Sequence, residues 1–514
     1  MDQLGRIIGE TSHSNVVFTA KRPPRVGEYV LVEYPETIID GIASRYVLGM
    51  VERSIIGNPA LQFRIITPEY VEKAVDLGVE KTEYSIGYAR LIGWVEPLEK
   101  GRLYTPKYPP KPSAVVYEAT ADALSKVFNK KEDGWIRIGC LANHPDVPVY
   151  VNANAIISRH LAILAVTGAG KSNTVGVLVD RIVNELNGTV LLIDMHNEYG
   201  GIAGGKTRDV TPKIHPAKLT LYELYRLLSL DEKASKQRMY LRKIYSELEK
   251  EGKIAREPDG FLDNLESELE ALLESDQFKR DRASIADLLN KLQELRERYE
   301  GTVLAVDAPM DIREVVEPGK ANVLKLGSVD EEVADVVVSH YLERLLRERK
   351  RSSTGKEGYP VPVLVAIEEA HVLIPRGRST LTKSIVARIA REGRKFGVGL
   401  CLVSQRPRNV DEDALSQTNN KIILRLVEPS DQKYVQQASE TLSEEMLGML
   451  ASLDVGEAVV LGLMTLIPAL VKIDKAENKT AGSDINAVDA WRKHLETVKE
   501  EARRGEEYDP YKMY

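Results

Sequence analysis

The chain has 514 residues, of which 43% are hydrophobic and 29% are charged, a balance that excludes a disordered polypeptide and a single small domain. Its formal net charge of -7 excludes an overall basic surface, so any contact with DNA must come from local clusters of lysine and arginine. The two cysteines, Cys140 and Cys401, lack metal-ligand spacing and are typical of core thiols in a reducing compartment.

The first hundred residues alternate β-branched and aromatic runs with turn residues. Strand candidates lie at residues 16–20, 29–34, 45–51 and 90–95. Because these runs lack helical periodicity, we expect a small β-barrel over residues 1–103 that serves docking or assembly. The charged residues Asp2, Arg6 and Glu10 argue against a signal peptide, and we expect a cytoplasmic protein.

A second unit follows a linker rich in proline and lysine at residues 104–112. Residues 115–128 favour a helix, and residues 139–151 lead into the apolar strand at residues 161–164. Further buried strand candidates lie at residues 190–194, 322–326, 361–367, 399–403 and 421–426. They alternate with helices, which predicts an α/β core with a largely parallel sheet, divided between residues 104–216 and 301–474.

Residues 217–300 interrupt this alternation with leucines at helical spacing among many glutamates and lysines. The leucines are Leu221, Leu224, Leu228, Leu262, Leu265, Leu269 and Leu272. They predict an inserted helical bundle. The apolar run 458–471 is too short to cross a bilayer and contains Pro468, so we expect two strands joined by a turn. In residues 475–514 we expect a helix near 485–504 and a tail that is disordered or packs on the core or a neighbouring subunit.

The segment Ala165–Ser172 (AVTGAGKS) lies between an apolar strand and a predicted helix, the context that a P-loop requires. Its glycines let successive N–H groups turn toward an anion, and the helix N-terminus adds partial positive charge. We expect Lys171 to reach the β- and γ-phosphates of ATP and the Ser172 hydroxyl to bind Mg²⁺. Ala165 replaces the first glycine of the general pattern. The residues predicted to contact the nucleotide are Thr167, Gly168, Ala169, Gly170, Lys171, Ser172, Asn173 and Asp194.

Two adjacent carboxylates, Glu368 and Glu369, follow an apolar strand, and the carboxyl ends of such strands carry the active sites of α/β proteins. We expect Glu368 to orient Mg²⁺ through water and Glu369 to act as the catalytic base on the attacking water. Asp194 also ends a strand, and a sheet that placed this strand beside the P-loop strand would bring Asp194 to the water or the metal. Gln405 ends a later strand and fits a γ-phosphate sensor, with a loop-stabilising role as the alternative.

Arginines are the candidate residues for catalytic contacts between subunits. Arg391 and Arg394 lie at a predicted helix end just before a strand, and Arg159 lies shortly before the P-loop strand. A guanidinium can neutralise transition-state charge in phosphoryl transfer and is often supplied by a neighbouring subunit. An ordinary surface salt bridge is the alternative for each of them.

A further group of basic residues, Arg376, Arg378 and Lys383, follows the acid pair in a stretch predicted to be a loop. If that loop faces a central pore, these residues would contact DNA phosphates. Such contacts carry no sequence information.

Together these features resemble the HerA family of archaeal hexameric DNA translocases, which is related to the FtsK pumps and the conjugation ATPases. The resemblance covers nearly the whole chain. It depends on the N-terminal strands, which resemble a HAS barrel, and on Thr167–Ser172, Ile367–His371, Ser404–Pro407 and Asp194–Tyr199. The Thr-Gly-x-Gly-Lys-Ser loop is shared by many pumps, whereas its combination with Glu-Glu-Ala-His and the barrel is more specific.

The resemblance implies a RecA-like P-loop ATPase core in a homohexameric ring that threads double-stranded DNA while hydrolysing ATP with Mg²⁺. It also implies a NurA-like nuclease partner, acting with the archaeal break-recognition complex in end resection for homologous recombination. By analogy Arg394 would act in trans as the arginine finger, with Arg159 also at the nucleotide. Ala165 suits this family.

Two other functions stay open. A conjugation- or segregation-type DNA pump would share the loop and the strand-end acids, but such pumps commonly carry membrane anchors, which we do not expect here. A nucleotide-gated scaffold would bind partners through the barrel and hydrolyse ATP slowly. DNA-stimulated ATPase activity separates a motor from a scaffold.

Overall fold

The computed structural model describes residues 1–61, 67–439, 442–478, 488, 489 and 491–496. Over these described residues the N-terminal part is a closed barrel of six strands. The strands are β1 (Gln3–Ile7), β2 (Asn15–Ala20), β3 (Tyr29–Ile39), β4 (Ile42–Gly57), β5 (Tyr84–Trp94) and β6 (Val115–Glu118). They follow the order β1-β2-β5-β4-β3-β6, and β6 pairs with β1 to close the barrel. The predicted barrel is confirmed.

Side chains from alternate strand positions fill the barrel interior, as the two-residue period of a strand requires. Phe18 and Val30 are fully buried there, and Trp94 is almost fully buried. Other barrel residues belong to the core of the second part of the chain. One of them, Tyr29, donates its hydroxyl hydrogen bond to the Pro468 carbonyl at 2.7 Å. The barrel is therefore packed against the rest of the molecule.

Within the described residues, three short α-helices accompany the barrel: α1 (Pro68–Asp76), α2 (Val95–Glu99) and α3 (Ala121–Phe128). The prediction of one helix over residues 115–128 is wrong for its first part, which forms β6. The β-branched Val115 and Val116 pair with β1 instead, and Thr120 then begins α3 by accepting a hydrogen bond from the Ala123 N–H. The last barrel strand thus lies beyond the boundary expected at residue 103.

The second part of the chain is built on one sheet, which has eleven strands among the described residues. They are β7 (Trp135–Leu141), β8 (His144–Asn152), β9 (Leu161–Leu164), β10 (Val190–Asp194), β11 (Thr207–Val210), β12 (Ala321–Lys325), β13 (Val363–Ile367), β14 (Val398–Ser404), β15 (Asn420–Ile423), β16 (Glu457–Leu461) and β17 (Ala469–Ile473). The spatial order is β11-β12-β10-β13-β14-β9-β15-β16-β17-β7-β8. Neighbours from β11 to β15 pair in parallel and the later pairs are antiparallel. The predicted parallel core and the predicted hairpin over 458–471 are both present.

The helices of this part connect the strands and build the insertion. They are α4 (Ala153–Arg159), α5 (Lys171–Leu186), α6 (Leu221–Leu227), α7 (Ser235–Lys250), α8 (Lys253–Arg256), α9 (Phe261–Glu274), α10 (Arg282–Tyr299), α11 (Ile312–Val315), α12 (Glu331–Ser353), α13 (Ala370–Leu373), α14 (Leu381–Phe396), α15 (Glu412–Ser416), α16 (Pro429–Gln437) and α17 (Glu444–Leu450). Helices α6 to α10 form the predicted bundle, in which Leu265 and Leu269 are fully buried. None of the helices in the described part of the chain combines the length and the apolar character that a membrane span needs.

After β17 the chain runs along α5 as a C-terminal strap, residues 474–478. The Asn173 amide donates to the Asp474 carbonyl at 2.7 Å and accepts from the Ala476 N–H at 3.0 Å. Asn478 donates to Asp180 in the same helix at 3.1 Å. Residues 488, 489 and 491–496 are helical. The rest of the helix expected near 485–504 and the expected tail lie outside the described residues.

Candidate nucleotide-binding site

The P-loop lies between β9 and α5. All residues of β9 are fully buried, so the loop is anchored inside the sheet. Gly168 and Gly170 have φ angles of 77° and 106°, which a residue with a Cβ adopts only with strain. A Cβ at Gly170 would also lie 3.3 Å from the backbone of Gly456. The sequence therefore places glycine where the loop curls ahead of the α5 N-terminus, whose free N–H groups attract anions.

Strand β14 separates the P-loop strand β9 from β13, which carries the acid pair, and β10 lies beyond β13. The premise that Asp194 follows a strand beside the P-loop strand is therefore wrong. Its fully buried carboxylate accepts backbone hydrogen bonds from its own loop. The donors are the N–H groups of His196, Glu198 and Tyr199, at 3.3, 3.1 and 3.0 Å. Asp194 shapes this loop and does not face the cavity beside the P-loop.

The loop held by Asp194 brings a carboxylate to the P-loop that the sequence analysis missed. Ser172 Oγ donates to Glu198 Oε2 at 3.2 Å. The signal available in the sequence was weak, because it was only the position of an acid four residues after a strand-end aspartate. Glu198 therefore joins Ser172 at the phosphate end of the site.

The acid pair lies against the P-loop lysine. Glu368 and Glu369 are 2% and 3% exposed, and Lys171 Nζ lies 3.3 Å from Glu368 Oε1 and 2.5 Å from Glu369 Oε1. Burial raises the pKa of Glu368 to about 7, and the nearby carboxylates of Asp194 and Glu198 add to this effect against the opposing charge of Lys171. One ammonium thus contacts both proposed catalytic carboxylates.

Glu368 has a second hydrogen-bond donor in Tyr199. Burial raises the pKa of Tyr199 well above its ordinary value, so the hydroxyl stays protonated and donates to Glu368 Oε1 at 3.0 Å. The Asp194 loop thereby holds the first acid of the pair as well as the P-loop serine.

The backbone of Glu369 is left-handed, with φ 45° and ψ 47°, a conformation that costs about 1 kcal/mol for a residue with a side chain. This bend begins α13 directly after the strand. It brings Glu369 Oε2 to 3.2 Å from His371 Nδ1. The same ring nitrogen is hydrogen-bonded to Ser404 Oγ at 3.2 Å. Burial lowers the pKa of His371, so the ring is neutral at neutral pH.

Gln405 lies at the end of β14, the strand between the P-loop and the acid pair. Its Oε1 accepts a hydrogen bond from Thr167 Oγ1 at 2.5 Å. The N–H of Ala165, the residue in place of the first glycine, donates to the Ser404 carbonyl at 3.2 Å. These contacts tie the end of β14 to the first part of the loop, a position that suits the predicted γ-phosphate sensor.

These residues line a cavity of about 460 Å³, bounded by the P-loop, Glu198, Glu369 and Gln405. Its volume is in the range of small-molecule sites. Asn173 also borders the cavity, but the C-terminal strap engages both atoms of its amide. The contact of Asn173 with the nucleotide stays a prediction.

The carboxylates of the acid pair fit a magnesium ion. Glu368 Oε2 and Glu369 Oε2 are buried without a hydrogen-bond partner in the described part of the chain. Orphaned carboxylate oxygens suit Mg²⁺, which takes oxygen ligands and keeps several waters. Across the same described residues no cluster of three or more His, Cys, Asp or Glu side chains could hold a metal alone. Ser172 and Glu368 would hold the ion together with the phosphates.

Two of the three candidate arginine fingers, Arg159 and Arg394, lie near the strand ends opposite the P-loop, and Arg391 lies one turn before Arg394 in α14. Arg159 ends α4, directly before β9 begins, and Arg394 lies in the last turn of α14, before β14 begins. The two helices meet where His160 Nε2 contacts the Ala390 carbonyl at 3.1 Å. Strand β9 alone spans about 13 Å from its start to the P-loop. The guanidinium groups of Arg159 and Arg394 therefore do not reach the cavity of their own chain. Arg394 is exposed.

The basic residues expected to contact DNA are in two different settings. Arg376 and Arg378 lie in the loop between α13 and α14, each 56% exposed, and their contacts with carboxylates are long, at 3.7 and 3.9 Å. Arg376 also lies over the Tyr434 ring, 5.2 Å from its centroid, and Arg378 donates a hydrogen bond to the Val372 carbonyl at 3.4 Å. Lys383 does not belong to that loop, because Thr380 caps α14 and places Lys383 in its first turn. Its ammonium lies 2.6 Å from Asp411, which leaves it engaged within the chain. The loop expectation is wrong for Lys383.

Three family models match the chain in succession. The HAS barrel domain matches residues 4–96, the model described as Helicase HerA, central domain, matches residues 136–345, and the Helicase HerA-like C-terminal model matches residues 348–492. The second match contains the P-loop and the bundle. The third contains the acid pair and the residues that follow it.

Known proteins are similar to the chain over nearly its whole length. A probable helicase of Methanocaldococcus jannaschii is 40% identical over 499 residues, which cover 95% of this chain and 94% of the relative. A DNA double-strand break repair helicase HerA of Sulfurisphaera tokodaii is 38% identical over 506 residues, which cover 97% and 98%. Among solved structures, VirB4 of Thermoanaerobacter pseudethanolicus has a TM-score of 0.50 at 17% identity, covering 68% of this chain and 98% of that chain. This last likeness shows a shared fold.

Proposed function

The chain belongs to the HerA helicase family and is a P-loop ATPase, and from this premise we propose that it is an ATP-driven translocase on double-stranded DNA that acts in double-strand break repair. Relatives named DNA double-strand break repair helicase HerA support the substrate and the process. The observation that carries the proposal is the contact of Lys171 with both Glu368 and Glu369 beside the P-loop cavity. That arrangement brings a phosphate-binding cation and a base for water to one place.

In the proposed reaction the P-loop N–H groups and Lys171 hold the β- and γ-phosphates of ATP. Mg²⁺, when bound at Ser172 and Glu368, supplies charge neutralisation for the triphosphate. Glu369 accepts a hydrogen bond from the attacking water and orients it in line with the bond to be broken. The Gln405 amide, which contacts Thr167, exchanges this partner for a γ-phosphate oxygen and thereby distinguishes ATP from ADP.

The proposed assembly is a homohexameric ring. A subunit whose arginines lie at the far edge of its sheet can present Arg394 and Arg159 only to the cavity of a neighbour. The guanidinium would there neutralise charge on the γ-phosphoryl group as the bond breaks. Hydrolysis then depends on assembly, because one subunit supplies the P-loop and the next supplies the arginine.

The proposed ring encloses DNA and receives a nuclease. Arg376 and Arg378, exposed and weakly paired, are the residues assigned to phosphate contacts. We assign docking of a NurA-like nuclease to the barrel and place the pair with the archaeal break-recognition complex in end resection. The free thiols Cys140 and Cys401 suit a reducing cytoplasm.

The test is ATP turnover with and without blunt duplex DNA, combined with the native mass of the particle. We expect a particle of six subunits, turnover that rises several-fold with DNA, and turnover at least about 100-fold lower in Glu369→Gln with or without DNA. If a ring hydrolyses ATP at the same rate with and without DNA, the result would favour the nucleotide-gated scaffold. A monomer with such turnover would overturn both the ring and the motor.

A further inference from the structure

We propose that His371 is a positioning residue that takes hold of the Glu369 carboxylate when Lys171 leaves it for the nucleotide. This inference depends on the proposed function, in which Lys171 binds phosphates and Glu369 orients the attacking water. It concerns the step between nucleotide binding and hydrolysis.

The first observation is that the Glu369 carboxylate has only one good partner. Its Oε1 lies 2.5 Å from Lys171 Nζ, whereas its Oε2 is buried and has no hydrogen-bond partner within the described residues. If Lys171 turns to the phosphates, the buried Glu369 carboxylate loses the positive charge that compensates it, which is unfavourable. A donor that reaches Oε2 at that moment would keep the base ionised and oriented.

The second observation is that His371 Nδ1 already lies 3.2 Å from Glu369 Oε2. The ring is held next to the acid by the left-handed turn at Glu369, which begins α13 directly after β13. The His371 side chain is only 15% exposed, so few waters compete for this contact. A small rotation of the ring converts the contact into a hydrogen bond.

The third observation is that Ser404 competes for the same ring nitrogen. His371 Nδ1 is hydrogen-bonded to Ser404 Oγ at 3.2 Å, and Ser404 Oγ also accepts the Arg406 N–H at 3.0 Å. One ring nitrogen makes one strong hydrogen bond at a time, so His371 serves either Ser404 or Glu369. When His371 Nδ1 bonds to Glu369 instead, it releases the Ser404 hydroxyl, which stabilises the turn after β14.

The residue between Ser404 and Arg406 is Gln405, the proposed γ-phosphate sensor. His371 therefore connects the base to the turn that carries the sensor. Arrival of a γ-phosphate draws Lys171 away from Glu369, and the loss of this partner favours the His371–Glu369 hydrogen bond. The base is then positioned only when a triphosphate is present.

The experiment compares His371→Ala and His371→Asn in the full-length assembled protein. For His371→Ala we expect kcat to fall about 10- to 100-fold, in the range of a mispositioned base, while the Kd of a fluorescent ATP analogue stays within about 2-fold. The Asn amide can donate from nearly the position of Nδ1, so His371→Asn should recover most of the lost kcat. His13→Ala, in the exposed β1–β2 turn, is the matched control and should leave both values unchanged.

A wild-type kcat in His371→Ala would overturn the inference. It would also be overturned if His371→Ala and His371→Asn lost activity equally and both weakened binding of the analogue, since that result describes a purely structural histidine. Failure of the proposed function can be told apart from failure of this inference. If the proposed function fails, Lys171→Ala and Glu369→Gln retain ATP hydrolysis. If these two variants are inactive and His371→Ala is fully active, only the role of His371 is refuted.

Discussion

Lys171 Nζ lies 2.5 Å from Glu369 Oε1, so the cation of the P-loop and the proposed base compensate each other inside the site. Lys171 also lies 3.3 Å from Glu368 Oε1, and its own side chain is only 11% exposed. The site is thus a buried cluster of one cation and two carboxylates. Its stability and its activity are expected to depend on the same three residues.

Lys171→Ala should lower both activity and stability. Removing the cation leaves two buried carboxylates without their partner, and loss of one member of a buried ion pair costs about 3 kcal/mol or more. We expect the unfolding free energy at pH 8 to fall by that order and nucleotide binding to be lost. Chemical denaturation and analogue binding measure the two effects. Lys320→Ala, which removes a half-buried lysine paired with Glu317 outside the site, should change neither, and equal stability of the two variants would contradict the prediction.

Glu368→Gln should stabilise the chain in a manner that depends on pH. The pKa of Glu368 is about 7 in the folded chain against an ordinary 4.5. Below pH 4.5 the carboxyl is protonated in both the folded and the unfolded chain, so its ionisation does not affect the free energy of unfolding. As the pH rises from 4.5 to 7 the unfolded chain releases the proton first, so wild-type stability falls, by about 3 kcal/mol once the pH exceeds 7.

The measurement is the difference in melting temperature between Glu368→Gln and wild type from pH 4.5 to pH 8, without nucleotide or Mg²⁺. The difference should grow with pH across this window, because glutamine does not ionise. Glu270→Gln, on an exposed position of α9, should show no such trend. A difference that stays constant over the whole window would mean that Glu368 is not destabilised by its burial.

The parts of this site that could be predicted from the sequence are those written in short patterns. The glycines and Lys171 of the P-loop, the two acids after β13 and the amide of Gln405 each follow from residues close together in the chain. Their mutual arrangement depends on which parallel strands are neighbours, and no local pattern encodes that order. The strand order supposed for Asp194 was wrong for this reason, because β13 and β14 lie between its strand and β9.

Other features were missed because they depend on contacts between distant residues. Glu198 reaches Ser172 only because Asp194 holds the intervening loop. Strand β6 looked like the start of a helix, yet pairing with β1 and β3 closes the barrel and overrides the local preference. Lys383 belongs to a helix because the Thr380 side chain caps α14. Capping signals of this kind are readable from sequence.

Glu369→Gln should separate binding from hydrolysis. The amide keeps the size of the side chain and loses the charge that orients water, so hydrolysis should fall at least about 100-fold while ATP still binds. Equilibrium binding of radiolabelled ATP and single-turnover hydrolysis measure the two steps. Glu270→Gln again serves as the control. Retention of hydrolysis would remove Glu369 from the role of base and leave Glu368 as the alternative.

Arg394→Ala should abolish hydrolysis without affecting stability, because the side chain is exposed at the sheet edge opposite the P-loop. A role in trans makes a sharper prediction. Mixed rings of Arg394→Ala and Lys171→Ala subunits contain interfaces in which an intact P-loop meets an intact arginine, so the mixture should regain activity that neither variant has alone. Mixing Arg394→Ala with the Lys171→Ala, Arg394→Ala double variant should restore nothing. Arg391→Ala, one turn earlier on α14, is the matched control and should remain active.

Asn173→Ala should loosen the C-terminal strap and leave the nucleotide site nearly intact. The change deletes the hydrogen bonds to Asp474 and Ala476, each of which contributes about 1 kcal/mol. Hydrogen exchange at residues 474–478 should therefore become faster, while the Kd of an ATP analogue stays within about 2-fold. Asn264→Ala in α9 is the control for loss of an asparagine elsewhere. A tenfold weaker Kd with unchanged exchange in the strap would instead assign the Asn173 side chain to the nucleotide, as its position beside Ser172 first suggests.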